Sequence, residues 1–374
     1  MSSHSYREVE SASRLPGPDE TGFVSHYVFQ YIDFNQVPQY VAAGHRFCDC
    51  FFFGCEIPSE MEGRIGSTCL VFPRLGLAYS TFRGKLYTPE ELYAGYDPEH
   101  EESFATCFDT RVYNDYVEKG KQCNEIRETL GRTLHDRAIE DAMADFLSRY
   151  GERQVVAIMG GHVIRRTDPE YRKVALISKT LTEKGKLMAS GGGPGAMEAT
   201  HFGAWMAGRS EEELEEALSI LQAAPTFRDE GWLRTAIEVK KRFPQTRFRS
   251  LGIPTWFYGH EPATPFATDI AKYFQNSMRE DILLTIARGG IIYTPGSAGT
   301  LQEIFQDAAQ NHYKTVGMSS PMVFLGKDFF GREVPVYTLL EALMANGRYK
   351  DLMLTITDSQ EEAVDAIMKF SEQD

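Results

Sequence analysis

The stretch that decides the fold is RQVVAIMGG at residues 153–161, which is followed along the chain by KLMAS at residues 186–190. The first segment is a continuous apolar run that ends in two glycines, which is typical of a strand buried on both faces of a parallel sheet. Between the two segments, residues 168–185 read DPEYRKVALISKTLTEKG, and their apolar positions share one helical face. The order strand, helix, strand predicts a βαβ unit.

Three further segments repeat this pattern. RSLGIPTWFY (249–258), GGIIYTP (289–295) and PMVFLG (321–326) have strand character and are separated by helical stretches. Strands that alternate with helices favour a parallel sheet covered on both faces, with ligands bound beyond the carboxyl ends of the strands. The sequence therefore predicts an α/β fold, a doubly wound parallel sheet over residues 125–374, with an additional N-terminal α+β region over residues 1–124.

Composition narrows the class of function. The 374 residues are 42% hydrophobic and 25% charged, which is the balance of a globular protein. Acidic residues outnumber basic ones, 53 to 39, and a net charge of −14 disfavours a nucleic-acid-binding or membrane-binding surface. No apolar run approaches the length of a signal peptide or of a membrane-spanning helix. We expect a cytoplasmic protein that binds a small molecule and neither nucleic acid nor membrane.

The N-terminal region alternates short apolar runs with turn residues. HYVFQYIDF (26–34), FCDCFFFGCEI (47–57), TCLVFP (68–73) and LGLAYSTF (75–82) are rich in aromatic or β-branched residues, which predicts short strands. After them, Thr133-Leu-His-Asp136 resembles a helix-capping signal at the start of an amphipathic helix. These patterns indicate no particular role for the region.

All six cysteines lie before residue 124, at positions 48, 50, 55, 69, 107 and 123. The spacing His45-x2-Cys48-x-Cys50-x4-Cys55 is compatible with zinc ligation, although zinc sites usually contain two closely spaced ligand pairs. The alternative is that these thiols are small core residues beside the phenylalanines that follow them. We favour the core interpretation and predict no metal.

Two glycine loops carry the functional signal. Residues 191–198 read GGGPGAME and residues 295–303 read PGSAGTLQE, and each loop follows a predicted strand and opens a predicted helix. Glycine lets backbone N–H groups approach an anion, and a helix N-terminus adds unpaired donors and a partial positive charge. Two such loops at neighbouring strands favour a ligand with a phosphate and a sugar, although each could also be a tight turn without a ligand.

Other phosphate-binding folds fit less well. Gly-Lys occurs four times, but Ser or Thr never follows it, so there is no P-loop. Gly191-x-Gly193-x-x-Ala196 has the spacing of the dinucleotide fingerprint, yet it follows the second strand, and the first strand ends in Gly160-Gly161 without that pattern. An NAD-dependent enzyme therefore remains only an alternative.

The second loop resembles a known family. PGSAGTLQE resembles the PGGxGTxxE signature of the Lonely Guy family of nucleoside 5′-monophosphate phosphoribohydrolases. GGGPGAMEA resembles the first glycine motif of that family, as written in the larger bacterial nucleotide 5′-monophosphate nucleosidases. Ser277-Met-Arg-Glu280 falls where the family has an Arg-Lys pair. The resemblance covers about residues 153–330.

This resemblance implies a Rossmann-like fold, a homodimer or larger assembly, and hydrolysis of the N-glycosidic bond of a nucleotide to a free base and ribose 5-phosphate, without metal or organic cofactor. It implies Arg279 and Glu303 as the catalytic pair. The residues that it implies for substrate binding are Gly161, Gly192, Gly193, Gly195, Met197, Gly296, Ser297, Ala298, Gly299 and Thr300. A carboxylate near the anomeric carbon would stabilise an oxocarbenium-like transition state or orient the attacking water.

Some interpretations stay open at this point. Thr300-x-x-Glu303 also has the form of a capping box, in which Glu303 would only bond the backbone of its own helix. Ser297 replaces the second glycine of the motif, and Glu280 replaces its lysine, which puts a negative charge beside Arg279. A non-catalytic nucleotide-binding or sensing protein on the same fold is therefore the main alternative.

Overall fold

The computed structural model describes residues 6–258 and 261–371. The strands are β1 Arg7–Val9, β2 Phe23–Ser25, β3 Tyr27–Gln30, β4 Arg46–Cys48, β5 Phe51–Phe53, β6 Leu70–Phe72, β7 Val155–Met159, β8 Leu187–Ser190, β9 Ser250–Gly252, β10 Asp269–Ile270, β11 Ile291–Tyr293, β12 Pro321–Leu325 and β13 Met353–Thr357. The α-helices are α1 Pro38–Ala42, α2 Ser59–Glu62, α3 Pro89–Leu92, α4 Phe108–Glu118, α5 Ile126–Leu147, α6 Pro169–Glu183, α7 Ala196–Trp205, α8 Glu211–Leu221, α9 Trp232–Arg242, α10 Asn276–Ile286, α11 Ala298–Tyr313, α12 Val336–Ala345 and α13 Gln360–Ser371. None of the helices in the described ranges combines the length and the apolar composition needed to cross a bilayer.

The chain divides into two compact units. The described parts of residues 1–86 and 119–144 form the N-terminal unit, and those of residues 87–118 and 145–374 form the C-terminal unit. The single boundary near residue 124 that the sequence indicates stays a prediction.

The C-terminal unit is built on a seven-stranded sheet in the order β10-β9-β8-β7-β11-β12-β13, in which every neighbouring pair is parallel. The chain builds the sheet outward from β7 in one direction as far as β10, and then from β11 in the other direction. With right-handed crossovers, this reversal places helices on both faces. The predicted α/β class with a doubly wound parallel sheet is confirmed.

The first βαβ unit forms for the reasons that its sequence suggests. Every residue of β7 is buried, as in a strand covered on both faces. Helix α6 begins with Pro169 at its first position, where a missing N–H costs nothing, and it buries Val174, Ile177 and Leu181. Gly185, with φ of 86°, follows the end of the helix.

The N-terminal unit is a stack of short parallel coils. Strands β1, β3, β5 and β6 form one parallel sheet, and β2 and β4 form a second. His26 and Asp49 have φ values of 61° and 50°, and each turns the corner between the two sheets at the same position of its coil. Inside the coils, Phe29 packs against Phe47 and Phe52. This order follows from a repeat between residues 23–34 and 46–57 that the sequence analysis did not detect.

Two local predictions in this region are wrong. Residues 75–82 form no strand, because Thr81 and Phe82 donate their N–H groups to the Tyr31 hydroxyl instead of to a neighbouring strand. Thr133 does not cap a helix, because α5 already begins at Ile126 and the Thr133 hydroxyl donates to the carbonyl of Thr129, 2.9 Å away.

Candidate functional site

One pocket of the C-terminal unit lies at the point where the strand order reverses, beyond the carboxyl ends of β7 and β11. Ligands of open α/β sheets bind at this position. The pocket has a volume of about 370 Å³. Its lining comes from the end of β7, the loops after β7, β8 and β11, the segment before β10, and helices α7, α10 and α11. The lining residues are Met159, Gly160, Gly161, His162, Gly191, Met197, Tyr258, Glu261, Arg279, Glu280, Ser297, Ala298, Gly299, Thr300, Gln302 and Glu303.

The second glycine loop forms one wall of this pocket. Helix α11 starts at Ala298, with Ser297 in extended conformation as its N-cap. The residues from Ser297 to Thr300 line the pocket, so the first turn of a 16-residue helix directs its unpaired N–H groups toward it. Gly296 does not line the pocket, and a Cβ added there would collide with the Thr300 side chain.

The first glycine loop shapes a neighbouring wall. Gly191 and Met197 line the pocket, whereas Gly192, Gly193 and Gly195 do not. Gly192 and Gly195 both have φ of 70°, and a Cβ on Gly195 would approach the carbonyl oxygen of Gly161 to 2.6 Å. These two glycines are therefore required by the backbone, and their contact with a substrate stays a prediction.

A buried histidine supports the first glycine loop from behind. His201 shares hydrogen bonds with the hydroxyls of Ser190 (2.8 Å) and Ser250 (2.9 Å), and the Ser190 hydroxyl accepts the N–H of Gly192. Burial lowers the pKa of His201 to about 3, so its imidazole is neutral at physiological pH. The ring therefore acts as a fixed polar spacer between β8 and β9.

Arg279 and Glu303 come together in the pocket. Arg279 Nη1 lies 3.8 Å from Glu303 Oε1, and Arg279 Nε donates to the carbonyl oxygen of Ile253 at 3.0 Å. The hydrogen bond to the Ile253 carbonyl therefore orients the Arg279 guanidinium.

Glu303 is a desolvated carboxylate. Its side chain is only 12% exposed, and no described residue donates a hydrogen bond to it. Burial raises the pKa of Glu303 to about 7, with Arg279 lowering it and Glu280 raising it further. The capping-box interpretation does not hold, because Ser297 caps α11 and no hydrogen bond joins Glu303 to the Thr300 backbone.

Glu280 is a second buried carboxylate of the pocket. Its Oε1 accepts from Asn276 Nδ2 (2.6 Å) and the Tyr258 hydroxyl (3.2 Å), and its Oε2 accepts from Gln302 Nε2 (2.9 Å). These three neutral donors allow the carboxylate to stay buried. The sequence analysis identified Glu280 only as a departure from a motif.

Four further polar side chains of the lining were not predicted as site residues: His162, Tyr258, Glu261 and Gln302. His162 Nδ1 lies 3.7 Å from a carboxylate oxygen of Glu261 at the pocket. The positions of two of these residues in the sequence could have indicated them. His162 follows the glycines after β7, and Tyr258 ends the predicted strand segment at 249–258.

The cysteine-rich stretch contains no recognisable metal site. In residues 6–258 and 261–371, no three His, Cys, Asp or Glu side chains are grouped as metal ligands would be. His45 packs its ring against Tyr40, with ring centroids 4.7 Å apart, and Cys50 is fully buried.

Comparison with known proteins gives limited information. No family model and no curated protein matches the chain. Similar solved structures include the molybdenum cofactor binding protein of Rippkaea orientalis, at 14% identity and a TM-score of 0.37. The similarity covers 59% of this chain and 98% of that protein. The Moco carrier protein of Chlamydomonas reinhardtii is similar at 13% identity and a TM-score of 0.37, over 59% of this chain and 98% of that protein. Similarity at this level supports no assignment of ligand or activity.

Proposed function

We propose that the chain is a Lonely Guy-type hydrolase that cleaves the N-glycosidic bond of nucleoside 5′-monophosphates. The observation that carries the proposal is the pairing of a buried carboxylate, Glu303, with the open first turn of α11 in one pocket at the strand-order reversal. Glu303 lies on that same helix, so an anion held at the helix N-terminus would be close to the carboxylate.

The phosphate of the substrate would bind at the first turn of α11. Backbone N–H groups there have no intrahelical partners, and the helix dipole favours negative charge. Arg279 is the one Lys or Arg side chain that lines the pocket in the described part of the chain. Its planar donors can bind a phosphate oxygen or the Glu303 carboxylate.

Glu303 would act on the ribose. Breaking the ribosyl bond develops positive charge on the sugar ring, which an ionised carboxylate stabilises. The same group can orient or deprotonate the attacking water. With a pKa of about 7, Glu303 is about half ionised at neutral pH and is a stronger base than an ordinary carboxylate.

The second candidate is a nucleotide-binding protein without turnover. The specific observation in its favour is the same raised pKa, because a protonated Glu303 donates a hydrogen bond to a ligand and activates no water. Glu280 and Glu261 add negative charge to the pocket and would weaken the binding of a dianionic phosphate.

The deciding experiment measures release of free base and ribose 5-phosphate from a panel of nucleoside monophosphates. Wild type should release both products, and Glu303→Gln should lose turnover while monophosphates still raise its melting temperature. Glu238→Gln, a change at an exposed position on α9, is the matched control and should retain full activity. If monophosphates stabilise the wild type but no product is released, the hydrolase proposal fails and the nucleotide-binding protein without turnover remains.

Gly299→Ala tests the position of the phosphate. A Cβ on Gly299 meets nothing within 4 Å, and alanine favours the helix, so the fold should tolerate the change. A methyl group that enters the phosphate position should weaken monophosphate binding about tenfold or more, which corresponds to about 1.4 kcal/mol. Unchanged affinity would place the phosphate elsewhere.

A further inference from the structure

Two cysteines of the N-terminal unit face each other across adjacent coils. Strands β5 and β6 pair in parallel with Phe51 opposite Leu70, so the preceding residues, Cys50 and Cys69, are in register. The N–H of Leu70 donates to the carbonyl oxygen of Cys50 at 2.9 Å, which fixes this register where the two cysteines lie. Neighbouring strands lie about 4.8 Å apart. This spacing is within the range of about 4.4–6.8 Å that a disulfide requires between Cα atoms.

The two thiols differ in environment. Cys50 is fully buried, and its Sγ lies 3.3 Å from the carbonyl oxygens of Val24 and Cys48. Cys69 is only half-buried, so a small oxidant can reach it. The Cys50 thiol donates to the carbonyl oxygens beside it, which favours its protonated form.

The surroundings of the pair favour a thiolate at Cys69. The neighbouring Cys50 thiol and backbone hydrogen bonds from Cys50 and Gly66 lower the pKa of Cys69, against the opposing effects of burial and of Asp49. The pKa of Cys50 is raised, mainly by its neighbour Cys69 and then by burial. The pKa of the neighbouring Cys48 is also raised, chiefly by burial. Cys69 is therefore the nucleophile of the group, and Cys50 is the protonated partner thiol.

We propose that Cys69 and Cys50 form a peroxide-sensitive dithiol that oxidises to an intramolecular disulfide. In the first step the Cys69 thiolate attacks one oxygen of hydrogen peroxide, forms an S–O bond and releases hydroxide. In the second step the Cys50 sulfur attacks the Cys69 sulfenic acid, an S–S bond forms, and the Cys50 proton and the sulfenic hydroxyl leave as water. Peroxide is the two-electron oxidant in this sequence.

The disulfide would join the coil of β5 covalently to that of β6. In the reduced chain, backbone hydrogen bonds and side-chain packing hold β6 on β5. A Cys50–Cys69 disulfide would hold residues 51–68 in a closed loop even when β6 opens. Oxidation should therefore slow hydrogen exchange of the backbone amides in residues 70–72.

The first test treats the full-length chain with hydrogen peroxide at pH 7 and maps peptides after alkylation under denaturing conditions. We expect two of the six thiols to be lost, with the peptides of Cys50 and Cys69 joined and lighter by two hydrogen atoms. A disulfide of Cys69 with Cys48, or oxidation spread evenly over the cysteines, would overturn the proposal.

Variants separate the two steps. Cys69→Ser should abolish the disulfide, and Cys48→Ser, a matched change at a half-buried position of the same coil stack, should leave it intact. Cys50→Ala should leave a sulfenic acid on Cys69 that dimedone traps. Because Cys50 is a core residue, the pH dependence of alkylation in the wild type gives an independent measurement: the alkylation of Cys69 should have its midpoint at a lower pH than that of Cys48. A Cys69 midpoint at or above that of Cys48 would contradict the mechanism.

Discussion

The desolvation of Glu303 should be measurable as a cost in stability that depends on pH. The pKa of Glu303 is raised from 4.5 to about 7 in the folded protein. Below pH 4.5 the carboxyl is protonated in both folded and unfolded states and costs nothing. Between pH 4.5 and 7 only the unfolded state releases its proton, so stability falls as the pH rises, and above pH 7 the penalty is constant. At about 1.4 kcal/mol per unit, the full penalty is about 3 kcal/mol.

Glu303→Gln removes this penalty because the amide is neutral at every pH. The variant should match wild type at pH 4.5 and exceed it at pH 8 by about 3 kcal/mol, or roughly 6–12 °C in melting temperature. All three tryptophans, Trp205, Trp232 and Trp256, belong to the C-terminal unit, so their fluorescence follows the unfolding of the unit that contains Glu303. Glu238→Gln at the exposed control position should show no gap at either pH. If the Glu303→Gln variant is equally stable or less stable than wild type at pH 8, that result would refute a desolvated carboxylate.

Three further predictions address the site and its support. If Glu303 is the catalytic base, kcat/KM should rise about tenfold between pH 6 and 8, following the ionised fraction of a group with a pKa of about 7. A flat profile would contradict this role. Glu280→Gln removes a negative charge from the pocket, so it should move that pH profile to lower pH. It should also tighten phosphate binding about tenfold, as measured by calorimetry. Weaker binding would indicate that Glu280 contacts the ligand directly. Arg166 forms a buried ion pair with Glu198 on α7. Arg166→Met should therefore cost about 3–5 kcal/mol in denaturant titrations, because it leaves the buried Glu198 carboxylate without its charge partner, and a loss below about 1 kcal/mol would be inconsistent with this.

The C-terminal sheet could be predicted because its sequence signals are local. The fully apolar run of β7, the proline and glycine that bound α6, and the glycine turn before α7 each determine their own segment. Strand β13 was not singled out, because its residues are mostly half-buried at the edge of the sheet and show no continuous apolar run with flanking glycines.

The coils of the N-terminal unit could not be predicted from local patterns. Each strand has only three or four residues, and the register depends on a repeat of 23 positions that places Val28 opposite Phe51. The corner residues His26 and Asp49 have left-handed backbone conformations, which histidine and aspartate adopt more readily than most residues but which no local pattern indicates. Short aromatic runs therefore predicted strands without showing how those strands stack.

For the candidate site, sequence reasoning identified the residues at the glycine loops and not those around them. Glu303 and Thr300 lie in a motif whose spacing is visible along the chain, whereas Tyr258 and Glu261 reach the pocket only through the fold. Electrostatics also depends on the fold, since the raised pKa of Glu303 arises mainly from burial that no motif records.

The charge balance of the pocket limits how a phosphate can be held there. Within the described residues, the lining carries three carboxyl groups, those of Glu261, Glu280 and Glu303, against the single guanidinium of Arg279. A dianionic phosphate in this lining gains little from side-chain charge, so most of its binding energy has to come from the backbone donors of α11. Backbone donors do not titrate, so above the second pKa of the phosphate, about 6, the donors of α11 add no pH dependence to phosphate binding. Protonation of Glu303 should then strengthen phosphate binding and suppress turnover over the same pH range, so that affinity and rate change in opposite directions around pH 7.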